Sequence, residues 1–197
     1  MYQVIVNFVI IIGLFPLLIF LLRKPVKSFS KQTSAIKPFL WLMFIGSIYE
    51  LVFTVILKVS ASYWFTLYTL LEFLVLYYFF RKLFGNNHKH IFFFFRTFFI
   101  LIWTISLFFW ERKIHLKVES YSTVIEALFV FTGVLLWFKE LFKNVEVVSL
   151  WRVPAFYFIC GLTFYFAGTV FFFLLIQDVL DSNSSQYWTF CINKKKN

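Results

Sequence analysis

Six long apolar stretches, separated by short polar segments, make up most of this chain. A transmembrane helix needs roughly 20 mainly apolar residues, and stretches of about 17 to 25 are tolerated. The pattern therefore predicts an all-α fold, a polytopic transmembrane helix bundle in which residues 1–197 form a single integral membrane domain. The six predicted spans cover residues 4–22, 39–57, 63–80, 91–110, 121–138 and 154–176.

An incomplete apolar segment follows the sixth span. Residues 186–192 read as the opening of a seventh helix, but the polar run Asn-Lys-Lys-Lys-Asn at 193–197 interrupts it. We therefore predict a truncated seventh span from about residue 186. Lysine and asparagine both have adenine-rich codons, so a frameshift in a poly-A tract is one explanation and a natural end is the other. An apolar run in the next reading frame supports the frameshift, whereas stop codons in every frame contradict it.

The composition supports a membrane protein and excludes a soluble one. Hydrophobic residues make up 61% of the 197 residues, with 32 Phe among them, and only 14% are charged. Soluble domains carry about 25% charged residues, so this chain lacks the polar residues to cover a soluble fold. The net charge is +10, but the basic residues flank the apolar runs, where anionic headgroups attract them. Because no basic face is available to track phosphates, we predict membrane lipids as partners and no nucleic acid.

The basic residues are unevenly divided between the two sides of the predicted bundle. The connections after the first, third and fifth spans hold five, three and three Lys or Arg residues, respectively. The connections after the second and fourth spans hold four in total. Since cytoplasmic loops carry the excess of positive charge, the chain is predicted to place its N-terminus outside.

Three glutamates lie within predicted spans: Glu50 in the second, Glu72 in the third and Glu126 in the fifth. A carboxylate in the bilayer is costly unless it is compensated, so each of them is a candidate functional residue. Residues three or four apart share a helix face, and each glutamate has hydroxyl-bearing neighbours at that spacing. These neighbours are Ser47 and Thr54 for Glu50, Tyr68 and Thr69 for Glu72, and Ser122 and Thr123 for Glu126.

All three carboxyls fall in the outer half of the predicted bundle by residue count. If their stripes face one another, they form a polar pocket open to the outer side, and Tyr68 and Tyr165 are further candidates to line it. Carboxyls grouped in a low-dielectric site share protons, so this pocket suits a proton, a cation or a protonated amine. The alternative is that each glutamate, in its protonated form, bonds a neighbouring helix and only holds the bundle together.

Two further features of the spans have packing explanations beside functional ones. Arg96 is the only basic residue inside a predicted span, and it either extends to the headgroups or serves as a counter-ion to Glu72. In the sixth span, Gly161, Tyr165 and Gly168 share a face, on which small residues let helices approach closely. We expect close helix packing along that face, with Tyr165 able to reach the pocket.

No catalytic or metal-binding motif is evident. His88, His90 and His115 fall in predicted loops, and none is placed one turn from a carboxylate on a predicted helix. Cys160 and Cys191 have neither metal-site nor disulfide-framework spacing. We therefore predict no catalytic residue, no metal and no cofactor.

Aromatic-rich segments surround two of the glutamates, at residues 68–80 and 125–131, and a third segment covers 154–161 and 165–168. Together they resemble small, uncharacterised bacterial multi-pass proteins that are similar to seven-helix membrane sensor regions associated with histidine kinases. The resemblance implies the bacterial cytoplasmic (inner) membrane, a seventh helix that this chain does not complete, and a sensory or accessory role. It implies no catalytic residue.

Three functions remain open on the sequence. The leading expectation is signal transduction, by a sensory or accessory module that passes the state of its pocket to a cytoplasmic or membrane partner. A small cation or proton transporter or channel subunit is the first alternative, although no inverted repeat is evident. A membrane-embedded lipid-modifying enzyme, with Glu as general acid or base, is the second alternative.

Overall fold

The computed structural model describes residues 14–18, 22, 30–57, 62–85, 87–108, 112–143, 153 and 155–171. These residues form helices and turns and contain no strand, so the all-α prediction is confirmed for the described part of the chain. A short helical segment covers residues 14–18. The longer helices are α1 (Ser30–Tyr49), α2 (Ser62–Phe84), α3 (Lys89–Phe108), α4 (Arg112–Lys143) and α5 (Ala155–Phe171), and a π-helical segment, Glu50–Ile56, continues α1.

Three helical stretches are long and apolar enough to cross a membrane: Ser34–Phe53, Lys89–Phe108 and Tyr121–Lys143. This agrees with the prediction of a membrane protein. The apolar helix α5 is shorter, and six spans with a truncated seventh stay a prediction. Of the first predicted span only residues 14–18 and 22 are described, and the predicted seventh, from residue 186, lies outside the described residues.

Two helices extend into segments that the sequence pattern assigned to connections. Helix α1 begins at Ser30 and runs through Pro38, although proline usually ends a helix. In membrane bundles such an interruption is tolerated because neighbouring groups bond the freed backbone. Helix α4 begins at Arg112, since the charged residues before the fifth predicted span are themselves good helix formers. His115 therefore lies on α4, four residues before Glu119, and not in the predicted loop.

Aromatic rings form the centre of the bundle. Helix α2 packs against α1, α3 and α4, which explains why one of its faces is completely buried. The rings of Phe73 on α2 and Phe99 on α3 stack with centroids 3.8 Å apart and planes at 5°, and Phe129 on α4 lies 5.1 Å from Phe73. Such pairs contribute about 0.5–1.5 kcal/mol each beyond the burial of their area. The buried face of α2 consists of Phe73, Leu76, Phe79 and Phe80.

A tight turn joins α2 to α3. Gly85 follows the last residue of α2 with φ +63°, and its N–H donates to the Arg81 carbonyl at 2.9 Å, as in a left-handed helix cap. His88 also has a positive φ, of 58°, and its carbonyl accepts the N–H groups at the start of α3. The His88 ring lies 3.3 Å from a carboxylate oxygen of Glu140, so this turn is joined to the C-terminal part of α4.

Candidate functional site

Two of the predicted site glutamates meet where α2 packs against α4. The side chain of Glu72 is 6% exposed and that of Glu126 is 1% exposed. Their carboxyls are close enough for the two charges to interact. The residues next to each glutamate in the chain are also buried. Phe73 comes directly after Glu72 on α2, and Ile125 and Ala127 lie on either side of Glu126 on α4. Glu72 and Glu126 are called the carboxyl pair below.

Two tyrosines complete the group around the carboxyl pair. The hydroxyl of Tyr165, on α5, donates a hydrogen bond to the carboxyl of Glu72. Tyr68, one turn before Glu72 on α2, lies close enough to interact electrostatically with both glutamates. Three helices thus bring together four of the five residues that the sequence suggested for a pocket. Their role as a ligand or proton pocket stays a prediction.

Several buried oxygens in this group have no protein partner. Among the described residues, one carboxyl oxygen of Glu72, one of Glu126 and the hydroxyl of Ser122 form no hydrogen bond. Ser122 is one turn before Glu126, on the same face of α4. Buried polar atoms are nearly always bonded, because leaving one unpaired costs about 1–3 kcal/mol. Three oxygens with unused hydrogen-bonding capacity thus lie in the apolar interior beside the carboxyl pair.

Glu50 lies on a different helical segment from either member of the carboxyl pair. It begins the π-helical segment Glu50–Ile56 and is half-buried, and no interaction within the described residues joins it to Glu72 or Glu126. Of the three glutamates that the sequence identified, Glu72 and Glu126 interact with each other, and a site that they share with Glu50 stays a prediction. A π-helical stretch changes the angular spacing of side chains, so the regular one-turn spacing that the sequence pattern assumed does not hold beyond Glu50.

A ladder of aromatic rings connects the π-helical segment to Tyr68, the tyrosine one turn before Glu72. The Tyr49 ring stacks on Phe53 at 4.5 Å and on Trp64 of α2 at 4.1 Å. The next ring along α2 is Tyr68, 6.0 Å from Trp64. The π-helical segment is therefore joined to a residue of the site through successive ring contacts.

Arg96 is not a partner of the pair. Its guanidinium lies over the rings of Phe93 and Tyr77, at 5.3 Å and 5.8 Å from their centroids. Within the described residues, no Lys or Arg side chain forms an ion pair with Glu72 or Glu126. The counter-ion alternative for Arg96 therefore finds no support in this arrangement.

Close helix packing occurs at glycines other than those expected. A Cβ added to Gly161 or Gly168 would meet nothing within 4 Å among the described residues, because α5 turns larger side chains such as Ile159 and Phe166 towards the core. The tight approaches are at Gly46, where a Cβ would lie 2.7 Å from the Tyr68 ring, and at Gly133. The contact at Gly133 could not be predicted, because its only signal in the sequence is a glycine in an apolar span.

Among the described residues, no three His, Cys, Asp or Glu side chains lie close enough to hold a metal ion together. No protein-family model, curated protein or solved structure matches this chain. The chemistry of the site is therefore argued from its own residues, which are two carboxyls and two phenols in apolar surroundings.

Proposed function

We propose that this chain is an integral protein of the bacterial cytoplasmic membrane that serves as a sensory or accessory module. In this proposal the chain has six spans and a truncated seventh, with its N-terminus outside. The carboxyl pair binds a proton or a small cation that reaches it from the outer side. A partner in the membrane or the cytoplasm then responds to the occupancy of the site.

The observation that carries the proposal is the burial of Glu126 beside Glu72 with one carboxyl oxygen of each unpartnered. Two bare carboxylates side by side in apolar surroundings repel each other, so a bound proton or cation stabilises the pair. The tyrosine hydroxyls can donate to an ionised carboxylate or accept from a protonated carboxyl, so they can bond the pair with or without a bound proton.

The carboxyl pair lies where a bound proton or cation can affect the packing of three helices. Glu72 is on α2, Glu126 is on α4, and the Tyr165 hydroxyl links α5 to Glu72. A proton or cation gained or lost between them changes the attraction among three helices at once. The resulting shift in helix packing is the kind of two-state change that a partner protein can detect.

A transporter or channel subunit is the second candidate, and the π-helical segment favours it. Transport sites near the bilayer midplane are built where a membrane helix departs from regular α-helical geometry. Glu50–Ile56 is such a departure, and the aromatic ladder connects it to the site. In this function the same carboxyls pass a proton or cation across the membrane.

Infrared difference spectroscopy of the purified chain in liposomes tests the site. We expect the carboxyl C=O band to respond to pH and to added Na⁺, and to change in both Glu72→Gln and Glu126→Gln. Glu140→Gln, a partly exposed carboxyl near the end of α4, is the matched control and leaves the band as in wild type. A band that responds to neither pH nor Na⁺ would show that the pair is only a bond between helices.

Proton flux into the same liposomes, followed with an enclosed pH dye, separates the two candidates. A responsive carboxyl band without flux supports the sensory or accessory module. Flux that Glu126→Gln abolishes identifies a transporter. In cells, the sensory function further requires that Glu72→Gln changes the transcription of target genes without lowering the amount of protein in the membrane.

A further inference from the structure

A shallow groove runs along the outer face of α3, beside α2. Its volume is about 670 Å³, and its walls are Leu74 of α2 and, on α3, Phe93, Arg96, Ile100, Leu101 and Ile105. The apolar side chains of this group are all well exposed among the described residues; Phe93, for example, is 57% exposed. On a helix that is long and apolar enough to cross a membrane, such a surface faces lipid.

The hydroxyl groups along the groove already form hydrogen bonds with the backbone, and the one charged group lies near one end. Thr97 and Thr104 also line it, but their hydroxyls donate to the backbone carbonyls of Phe93 and Ile100, at 3.0 Å and 2.8 Å. The charged group is Arg96, which pairs with no acidic side chain within the described residues. Its half-buried side chain lies over the Phe93 ring, one turn towards the start of α3. The groove is therefore apolar along its length, with one positive charge at the end near Lys89.

The part of the groove that lies in one leaflet can hold one acyl chain. Helix α3 rises by about 1.5 Å per residue, so Ile100 and Leu101 lie roughly 17 Å beyond Lys89. Half of the hydrocarbon core of a membrane is about 15 Å thick, which puts these two residues near the bilayer midplane. The guanidinium of Arg96 extends over the Phe93 ring, towards the membrane surface, so a lipid with its phosphate there places an acyl chain along the groove as far as Ile100 and Leu101.

We propose that this groove binds one anionic phospholipid, with the lipid phosphate on Arg96 and an acyl chain against Ile100 and Leu101. A guanidinium is planar and can hold a phosphate through two parallel hydrogen bonds. Lys89 is exposed and lies two turns before Arg96, on the same face of α3, so it adds a second positive charge at headgroup level. That second charge disfavours a zwitterionic headgroup, whose own ammonium it repels, and selects an anionic one.

Native mass spectrometry of the whole chain, released from nanodiscs of phosphatidylcholine with phosphatidylglycerol as the minor lipid, tests the proposal. We expect wild type to retain one phosphatidylglycerol in preference to phosphatidylcholine. Arg96→Gln should lower that retention about tenfold, as expected for a lost charge-assisted pair. Arg96→Lys should keep part of it. Arg81→Gln removes the same charge from an exposed position on α2 outside the groove, and should retain the lipid as wild type does.

Equal retention of the two lipids by wild type would overturn the proposal. So would an equal loss in Arg81→Gln and Arg96→Gln, because retention would then follow the overall surface charge. If Arg96→Gln does not fold, a phosphatidylglycerol with a photoactivatable acyl chain gives an independent result on wild type. Its label should fall on α3 between residues 96 and 101 and should decrease in Ile100→Trp, which fills the groove without removing Arg96. A label concentrated elsewhere on the chain contradicts the assignment.

Discussion

Phe80 packs on Gly133 so closely that a Cβ at Gly133 would lie 2.6 Å from the Phe80 ring. Phe80 is eight residues after Glu72 on α2, and Gly133 is seven residues after Glu126 on α4. The two helices therefore touch about two turns from the carboxyl pair on both. This contact fixes the register in which the two glutamates meet.

Gly133→Ala should destabilise the bundle. The added methyl group collides with a ring that has no exposed surface and is enclosed by Phe92 and Phe129, so the ring has no free space to move into. We expect a loss of about 1–3 kcal/mol in the free energy of unfolding, as for other overpacked cores. Reversible unfolding in mixed micelles, followed by circular dichroism, measures it.

Gly161→Ala is the matched control, because a Cβ at Gly161 meets nothing within 4 Å among the described residues. Alanine favours a helix over glycine by about 1 kcal/mol, so this variant should be as stable as wild type or more so. Equal destabilisation by both substitutions would mean that the contact at Phe80 does not set the helix spacing.

Tyr165→Phe should weaken the attachment of α5 to the site. The substitution removes the hydroxyl that donates to Glu72 and leaves a buried carboxyl with one bond fewer. The expected loss of stability is about 1–3 kcal/mol, and it should be smaller in a Glu72→Gln background if the two groups act together. Tyr121→Phe, at a tyrosine that is 62% exposed, should change stability little. Purely additive effects of Tyr165→Phe and Glu72→Gln would argue against the hydrogen bond.

Glu50→Gln should leave the infrared response of the carboxyl pair unchanged. Glu50 lies on the π-helical segment, and no interaction within the described residues joins its carboxyl to Glu72 or Glu126. The measurement is the same pH- and Na⁺-dependent C=O band that reports on Glu126→Gln. If Glu50→Gln alters the band as strongly as Glu126→Gln does, all three glutamates share one site, as the sequence pattern originally suggested.

His88 should accept asparagine more readily than valine. Its φ of 58° lies in the left-handed region, which asparagine tolerates and a β-branched side chain does not. Both substitutions remove the ring that contacts Glu140 and Phe84, so that loss cancels in the comparison. His88→Val should be less stable than His88→Asn by about 1–3 kcal/mol. Equal unfolding midpoints for the two variants would show that the turn relaxes to another conformation.

The sequence predicted the helical class. It also predicted that the carboxyls in apolar spans face other polar groups, as the carboxyl of Glu72 does with Tyr165. It could not predict the π-helical segment that begins at Glu50, because such a segment depends on packing and has no clear signal in residue type. The sequence also could not predict which glycines are closely approached by a neighbouring helix. Gly133 and Gly161 both lie in apolar spans, and only the neighbouring helix decides which of them is approached closely. Pro38 suggested a helix boundary that the surrounding bundle overrides.

The shortness of the connection between α2 and α3, four residues between Phe84 and Lys89, has a consequence for biogenesis. Helix α2 carries Glu72, Arg81 and Lys82 and is not among the helices that are apolar enough to cross a membrane by themselves, whereas α3 is. In the proposed topology α2 and α3 cross the membrane in opposite directions, and so short a connection keeps them next to each other. We therefore expect α2 to enter the bilayer together with α3 as a helical hairpin, so that the segment carrying a site glutamate depends on its more apolar neighbour for insertion.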